Sequence, residues 1–307
     1  MLSEEKYAIA SIFLSDRFLH EISFADFARY RKSYLFLLEY MTLEELVLQN
    51  LYAFEDYEKF ILESALHNHL FPLSEYHFHQ DHRIRANIKV VGFLNSVTSL
   101  RDQFPKFRES APEKGIRDDF IKFWNEEKSK SIPFEFCEAF RNYAQHQTQP
   151  VAYSTSGSNW DESRALSEAH ATVYADVTDV CKNRNISPDK REKFFKEFGL
   201  KADISLIFRE TVGKIGKIIE KIREETRSEF EISAKIYKDI LDTYRYNDED
   251  VIVFDIVRIS EGKRYKEFSI FLEFLERAKN LRRTFLIKNN ECHLVSNRAF
   301  GHKTKPK

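Results

Sequence analysis

Glycine and proline are scarce in this chain. Its 307 residues hold 8 glycines and 7 prolines, about 5% where ~12% is usual. Sandwiches, barrels and propellers need these residues at their many corners, so the shortage argues against such folds and against a long flexible linker. Cysteine is rare too. Cys137, Cys181 and Cys292 lie far apart with no CxxC spacing, and an odd number cannot all pair within one chain. That usage suits a reducing compartment. No run approaches the ~18 apolar residues of a membrane span. The opening MLSEEKYAIASIFLSDR puts two glutamates where a secretory leader carries positive charge. The expectation is a soluble, cytoplasmic protein. An excess of one charge is also missing. With 48 Lys+Arg against 49 Asp+Glu, there is no whole-molecule basic footprint for nucleic acid, and any basic patch must be local.

What is present suits a packed core: 42% hydrophobic and 32% charged residues argue against disorder. The first two-thirds reads as successive helices. Residues 24–41 predict a short aromatic-rich helix. Thr42-Leu-Glu-Glu45 reads as a capping box opening a second helix, with Leu46, Leu51, Phe54, Phe60 and Ile61 at helical spacing and Pro72 closing it. Further helices are predicted over Asp81–Gln103 and Arg117–Lys128. Another opens at Ser131, with Pro133 preset for the first turn, and Pro150 bars its continuation. Residues 151–175 alternate apolar and polar around Gly157 and Asn159, which predicts a β-hairpin. Ser187-Pro188 restarts helix, and Phe208, Val212, Ile215, Ile219 and Ile222 form a packing stripe. VIVFDIVRI after Asn247 predicts a strand, followed by a helix over Tyr265–Lys279, a short hairpin near Asn289-Asn290 and a basic tail. Gly213-Lys-Ile-Gly216-Lys lacks P-loop spacing and sits in the helical stripe.

Three constellations carry possible chemistry. The first is Arg141-Asn-Tyr-Ala-Gln-His146, at the end of the fourth helix. With 22 arginines and 10 histidines in the chain, chance predicts about 0.7 such spacings, and about 0.1 once a polar Asn, Asp or His must follow the arginine. On a helix Asn142 faces His146 and Arg141 faces Gln145. Arg141 and His146 lie about 140° apart, so they converge only if the helix end loosens or a second copy completes the site. Such a pair suits phosphodiester cleavage without metal: the imidazole moves protons, and the guanidinium absorbs charge on the phosphate. The bland alternative is a helix-end Arg and His that answer the helix dipole. The second constellation is His67, His69, His77, His79 and His82 with Asp81, five histidines within sixteen residues. They could form a metal site or simply a polar turn between helices. The third is an aromatic excess, 14% of the chain. Most of it is expected in the core, with Arg29, Arg31 and Lys32 as a local exposed basic patch.

FRNYAQHQTQPV, with long helices upstream and a proline shortly after, resembles the signature of HEPN domains, over roughly residues 40–150. The resemblance implies a HEPN-like antiparallel helical bundle, and with the patterns read after residue 150 the expected fold is mainly α, with a β-hairpin excursion and a small α+β C-terminal portion. The corresponding divisions are N-terminal helices over 1–40, the HEPN-like domain over 41–150, the excursion over 151–185, a helical to α+β region over 186–300 and the tail over 301–307. The implied activity is a metal-independent endoribonuclease with no cofactor, acting as a homodimer and leaving 2′,3′-cyclic phosphate ends. Carried over by position, Arg141 would stabilise the phosphate, His146 would be the general acid/base and Asn142 would orient them, with Tyr143 and Gln145 contacting substrate. Such domains act largely as toxins, in antiviral defence and in RNA processing, and the expectation here is a toxin or antiviral-defence effector with RNA as partner and an antitoxin or activator protein as a further candidate partner. Two alternatives stay open: a non-catalytic RNA- or nucleotide-binding module, and a histidine-cluster metalloprotein.

Overall fold

The structure, a computed structural model, describes residues 5–11, 19–71, 76–106, 116–146, 149–161, 166–244, 253–284 and 295–302. It is mainly helical, with two small antiparallel sheets. Among the described residues no helix is long and apolar enough to cross a membrane. The chain divides into two compact units, and two long helices have residues in both.

The first of these helices, α1, runs from Phe24 to Leu70. Its start is sealed at Ser23, whose hydroxyl accepts from the Asp26 amide (3.0 Å) and donates to the Asp26 carboxylate (2.7 Å). The expected start at Thr42 is therefore corrected. Residues 24–41 are already helical, so Thr42 arrives mid-helix and its hydroxyl turns back to the Leu38 carbonyl at 2.8 Å.

One unit contains β1 (Lys6–Ser11), β2 (Leu19–Ile22), α1 up to Glu45, α8 (Arg227–Thr243), β6 (Val253–Ser260), β7 (Lys263–Phe271) and α9 (Leu272–Arg282). Its sheet has the order β2-β1-β6-β7. N-terminal helices were expected over 1–40, but Lys6–Ser11 is a strand because Ala8, Ile9 and Ala10 complete a buried layer on β6. The predicted strand after Asn247 is β6. The predicted helix from Tyr265 begins only at Leu272, since Tyr265–Phe271 pairs with β6 across a two-residue turn in which Glu261 and Gly262 both have positive φ. In this unit Glu44 accepts two bonds from Arg223 (2.8 and 2.7 Å) and one from the Tyr40 hydroxyl (2.6 Å).

The other unit holds α1 from Leu46, α2 (Tyr76–Thr98), α3 (Ile116–Ser129), α4 (Ile132–His146), β3 (Tyr153–Asp161), β4 (Leu166–Asp176), α5 (Val177–Cys181), α6 (Pro188–Phe198), β5 (Lys201–Asp203), α7 from Ile204 to Lys221, and β8 (Arg298–His302). A wide π-helical turn over Ser99–Gln103 and a tighter 3-10 turn over Phe104–Lys106 follow α2. The expected hairpin is β3–β4. On the other edge of β4, β5 pairs at one end and β8 at the other. The basic tail is thus corrected in part, because Arg298–His302 is held as a strand. The hairpin expected near Asn289-Asn290 lies outside the described residues.

The α7 stripe packs as predicted: Phe208, Val212, Ile215 and Ile219 are buried, and the Phe208 ring meets Phe93 (4.0 Å) and Tyr57 (4.9 Å). Each such side chain contributes roughly 1.5–3 kcal/mol. Beside it lies a buried ion pair. Arg209 grips Glu58 through two bonds (2.8 and 2.9 Å), and the Ser296 hydroxyl touches both partners. Arg209→Met is expected to cost about 3–5 kcal/mol in urea unfolding, because it strands a buried carboxylate, while adding Glu58→Leu recovers most of that loss.

Candidate functional site

The helix carrying the motif is built from both ends. The Ser131 hydroxyl accepts the Phe134 amide at 3.3 Å ahead of α4. Phe134, Cys137 and Arg141 then recur on one face, and all three are buried. That periodicity explains the first observation at the motif: Arg141 continues the apolar stripe and is only 6% exposed. His146, five residues on, has rotated away and is exposed.

A buried guanidinium needs partners, and Arg141 has them. Its Nη1 donates to Asp102 at 2.9 Å, while Nε and Nη2 donate to the Asn142 carboxamide oxygen at 3.2 and 2.8 Å. Asp102 lies in the π-helical turn after α2, where its other oxygen accepts from Arg101 at 2.6 Å. Arg101 also meets Glu138 at 2.6 Å, and Glu138 accepts from Trp124 (2.7 Å) and Lys128 (3.0 Å). Charges therefore alternate in sign along Lys128, Glu138, Arg101, Asp102 and Arg141. Burial pulls the Arg101 guanidinium down, but Glu138 and Asp102 outweigh it and hold the group above its ordinary range. Asp102, Arg101 and Glu138 were not found from the sequence. The signal available was an Arg-Asp pair at 101–102, three residues short of Pro105.

Beyond Arg141 the surface opens. Asn142, Tyr143 and His146 form one wall of a pocket of about 580 Å³, and Asp179, Lys182, Asn183, Arg184 and Asn185 form the other. Asp176 starts that second wall by accepting the amides of Thr178 (2.8 Å) and Asp179 (3.2 Å) at the head of α5. Asp179 pairs with Lys182 at 2.5 Å, which raises the Lys182 ammonium above its ordinary value. Gln145, expected to contact substrate, instead donates to Thr98 at 3.3 Å and is not part of the pocket lining. Since Arg141 occupies the Asn142 oxygen, the Asn142 NH₂ is the group left to offer a ligand.

The other constellations resolve differently. His67 and His69 end α1, while His77, His79 and His82 lie on α2. Among the described residues no three His, Cys, Asp or Glu side chains form a group that could hold a metal ion. His82 is buried with its Nε2 2.9 Å from the Ser64 hydroxyl, and burial, then His79 and His67, push it down to about 4. In the expected basic patch, Arg29 pairs with Asp26 (3.1 Å) while Phe27 and Tyr30 enter the core. Burial pushes the Cys137 thiol up to about 12, which removes it as a nucleophile.

No protein-family model, curated protein or solved structure matches the chain.

Arg141→Ala is expected to lower stability by about 2–3 kcal/mol, because it empties a buried position and leaves Asp102 with Arg101 as its remaining cation. His146→Ala should stay within about 0.5 kcal/mol of wild type. Chemical denaturation of the two variants side by side checks this, and equal losses would contradict the burial difference. For His82, the folded group binds its proton far more weakly than the unfolded chain does. Stability should therefore fall as pH drops from the ordinary 6.5 toward about 4, by up to about 3 kcal/mol, and level off below. His82→Gln should flatten this part of the stability–pH curve.

Proposed function

We propose that the pocket beside His146 binds RNA and that the protein is a metal-independent endoribonuclease of HEPN type, acting as a homodimer. The observation that carries this reading is an exposed imidazole on a pocket that also offers an amide, an aromatic ring and cations: His146, Asn142, Tyr143, Lys182 and Arg184. A ribose 2′-oxygen attacks the adjacent phosphorus, the 2′-O–P bond forms, and the bond from phosphorus to the 5′-oxygen breaks. One imidazole takes the 2′ proton, and a protonated imidazole gives one to the leaving oxygen. Two imidazoles in opposite protonation states do this best, which is the chemical reason for a second copy. Asn142 offers its NH₂ to the phosphate, and Tyr143 stacks on a base. Arg141 acts here as a positioning residue, holding Asn142 and tied to Asp102. An effector role as toxin or antiviral-defence nuclease, controlled by an antitoxin or activator, follows from the same reading.

A second reading rests on one observation: the Arg141 charge is already matched by Asp102, which favours a module that binds RNA or nucleotide without cutting it. The test is cleavage of end-labelled mixed-sequence RNA in EDTA. Wild type should cut and leave 2′,3′-cyclic phosphate ends. His146→Ala should lose at least about 100-fold. Binding without cutting by wild type would select the second reading, and no binding would remove both.

A further inference from the structure

If His146 acts on a phosphodiester, some cation must hold that phosphate, and Arg141 is poorly placed to do so. Its guanidinium is buried, and three of its N–H groups are spent on Asp102 and Asn142. To reach a phosphate it would have to leave its buried position and give up its bonds to Asp102 and Asn142, which costs more than a surface contact returns.

The opposite wall supplies a better group. Lys182 is matched by Asp179 at 2.5 Å, so that pair adds almost no net charge to the pocket. Arg184 differs. It is exposed, it lines the same pocket as His146, and it makes no ion pair or hydrogen bond among the described residues. Its backbone is nonetheless held in place. Cys181 and Ile186 are buried on either side of the turn. Within the turn the Asn183 side-chain oxygen accepts the Asn185 amide at 3.0 Å, and the Asn183 carbonyl accepts from Ile186 (3.1 Å) and Arg191 (3.2 Å). A fixed turn carrying an uncommitted planar guanidinium suits a phosphate, which the fork grips through two parallel bonds.

We propose that Arg184, on the turn between α5 and α6, is the residue that holds the RNA phosphate in this pocket. The proposal rests on the RNA reading of the pocket but does not need cleavage. Arg184 adds the charge-matched contact, and the motif helix adds the imidazole and the Asn142 amide. The protein thus divides between two elements the roles that Arg141 and His146 were expected to share.

The experiment measures binding of a fluorescein-labelled single-stranded 12-mer RNA by anisotropy, over a series of salt concentrations. All variants carry His146→Ala, so cleavage cannot interfere. Arg184→Ala is expected to raise the Kd about 10-fold and to flatten the slope of log K against log salt by about 0.7, the share of one phosphate contact on a single strand. Arg184→Lys should restore the slope but only part of the affinity, and Arg184→Glu should weaken binding further than Ala. Circular dichroism of each variant should match the parent, since the side chain is exposed. An unchanged Kd and slope for Arg184→Ala, with tight binding by the parent, would overturn the proposal while leaving the RNA reading standing. Absence of binding by the parent and by wild type alike would overturn both. A loss on Arg184→Ala here, together with no cleavage by wild type in the EDTA assay, would support the phosphate role and sink the nuclease alone.

Discussion

The ion pair between Arg141 and Asp102 is the constraint on which the candidate site depends. A guanidinium 6% exposed survives only if its charge and its N–H groups are answered, and Asp102 and Asn142 answer them. Three consequences follow. The rotation of α4 about its axis is pinned, which leaves His146 facing outward. The Asn142 oxygen is occupied, so its NH₂ is the part of the amide a ligand would meet. The positive charge nominally in the motif is spent, so a cation for an anionic ligand has to come from the α5–α6 turn. The alternating charges through Arg101, Glu138 and Lys128 extend the pair into a network of three cations and two carboxylates in which every neighbour is of opposite sign.

Similar logic recurs away from the site. Glu58 with Arg209, and Glu44 with Arg223, are carboxylates gripped by two guanidinium bonds beside large apolar residues. Such pairs contribute little net stability, because desolvation offsets much of their attraction, but breaking one is costly. They suit a helical protein whose interior must select one register among many similar helical faces. Apolar stripes alone, as on α7, would tolerate a slip more readily than a charge that has to find its partner.

Much of the helical content could be read directly from residue spacing. The starts of α4 at Ser131 and α6 at Ser187-Pro188, the α7 stripe, the β3–β4 hairpin and β6 depend on neighbours within a few residues, and local physics decides them. Readings failed where a partner lies far along the chain. Lys6–Ser11 is a strand because it pairs with Phe254–Ile259, nearly the whole chain away. Tyr265–Phe271 has a helix-compatible pattern, yet β6 captures it as a strand. Arg298–His302 looks like a basic tail until β4 claims it. Thr42 carries a valid capping motif, but Ser23 had already started the helix, and a cap has no function in the middle of one.

At the site the division is just as clear. By itself the sequence determined that a polar pair, Arg141 and His146, stands near the end of a helix about 140° apart, because helical geometry follows from backbone sterics and hydrogen bonding alone. Only the tertiary structure decided which of the two meets solvent. Arg141 falls on the face that packs and finds Asp102 there, while His146 is left on an open pocket whose other wall comes from residues 179–185. That outcome could not be read locally, since the cost of burying a charge depends on a partner 39 positions away, and its location is set by how the helices pack.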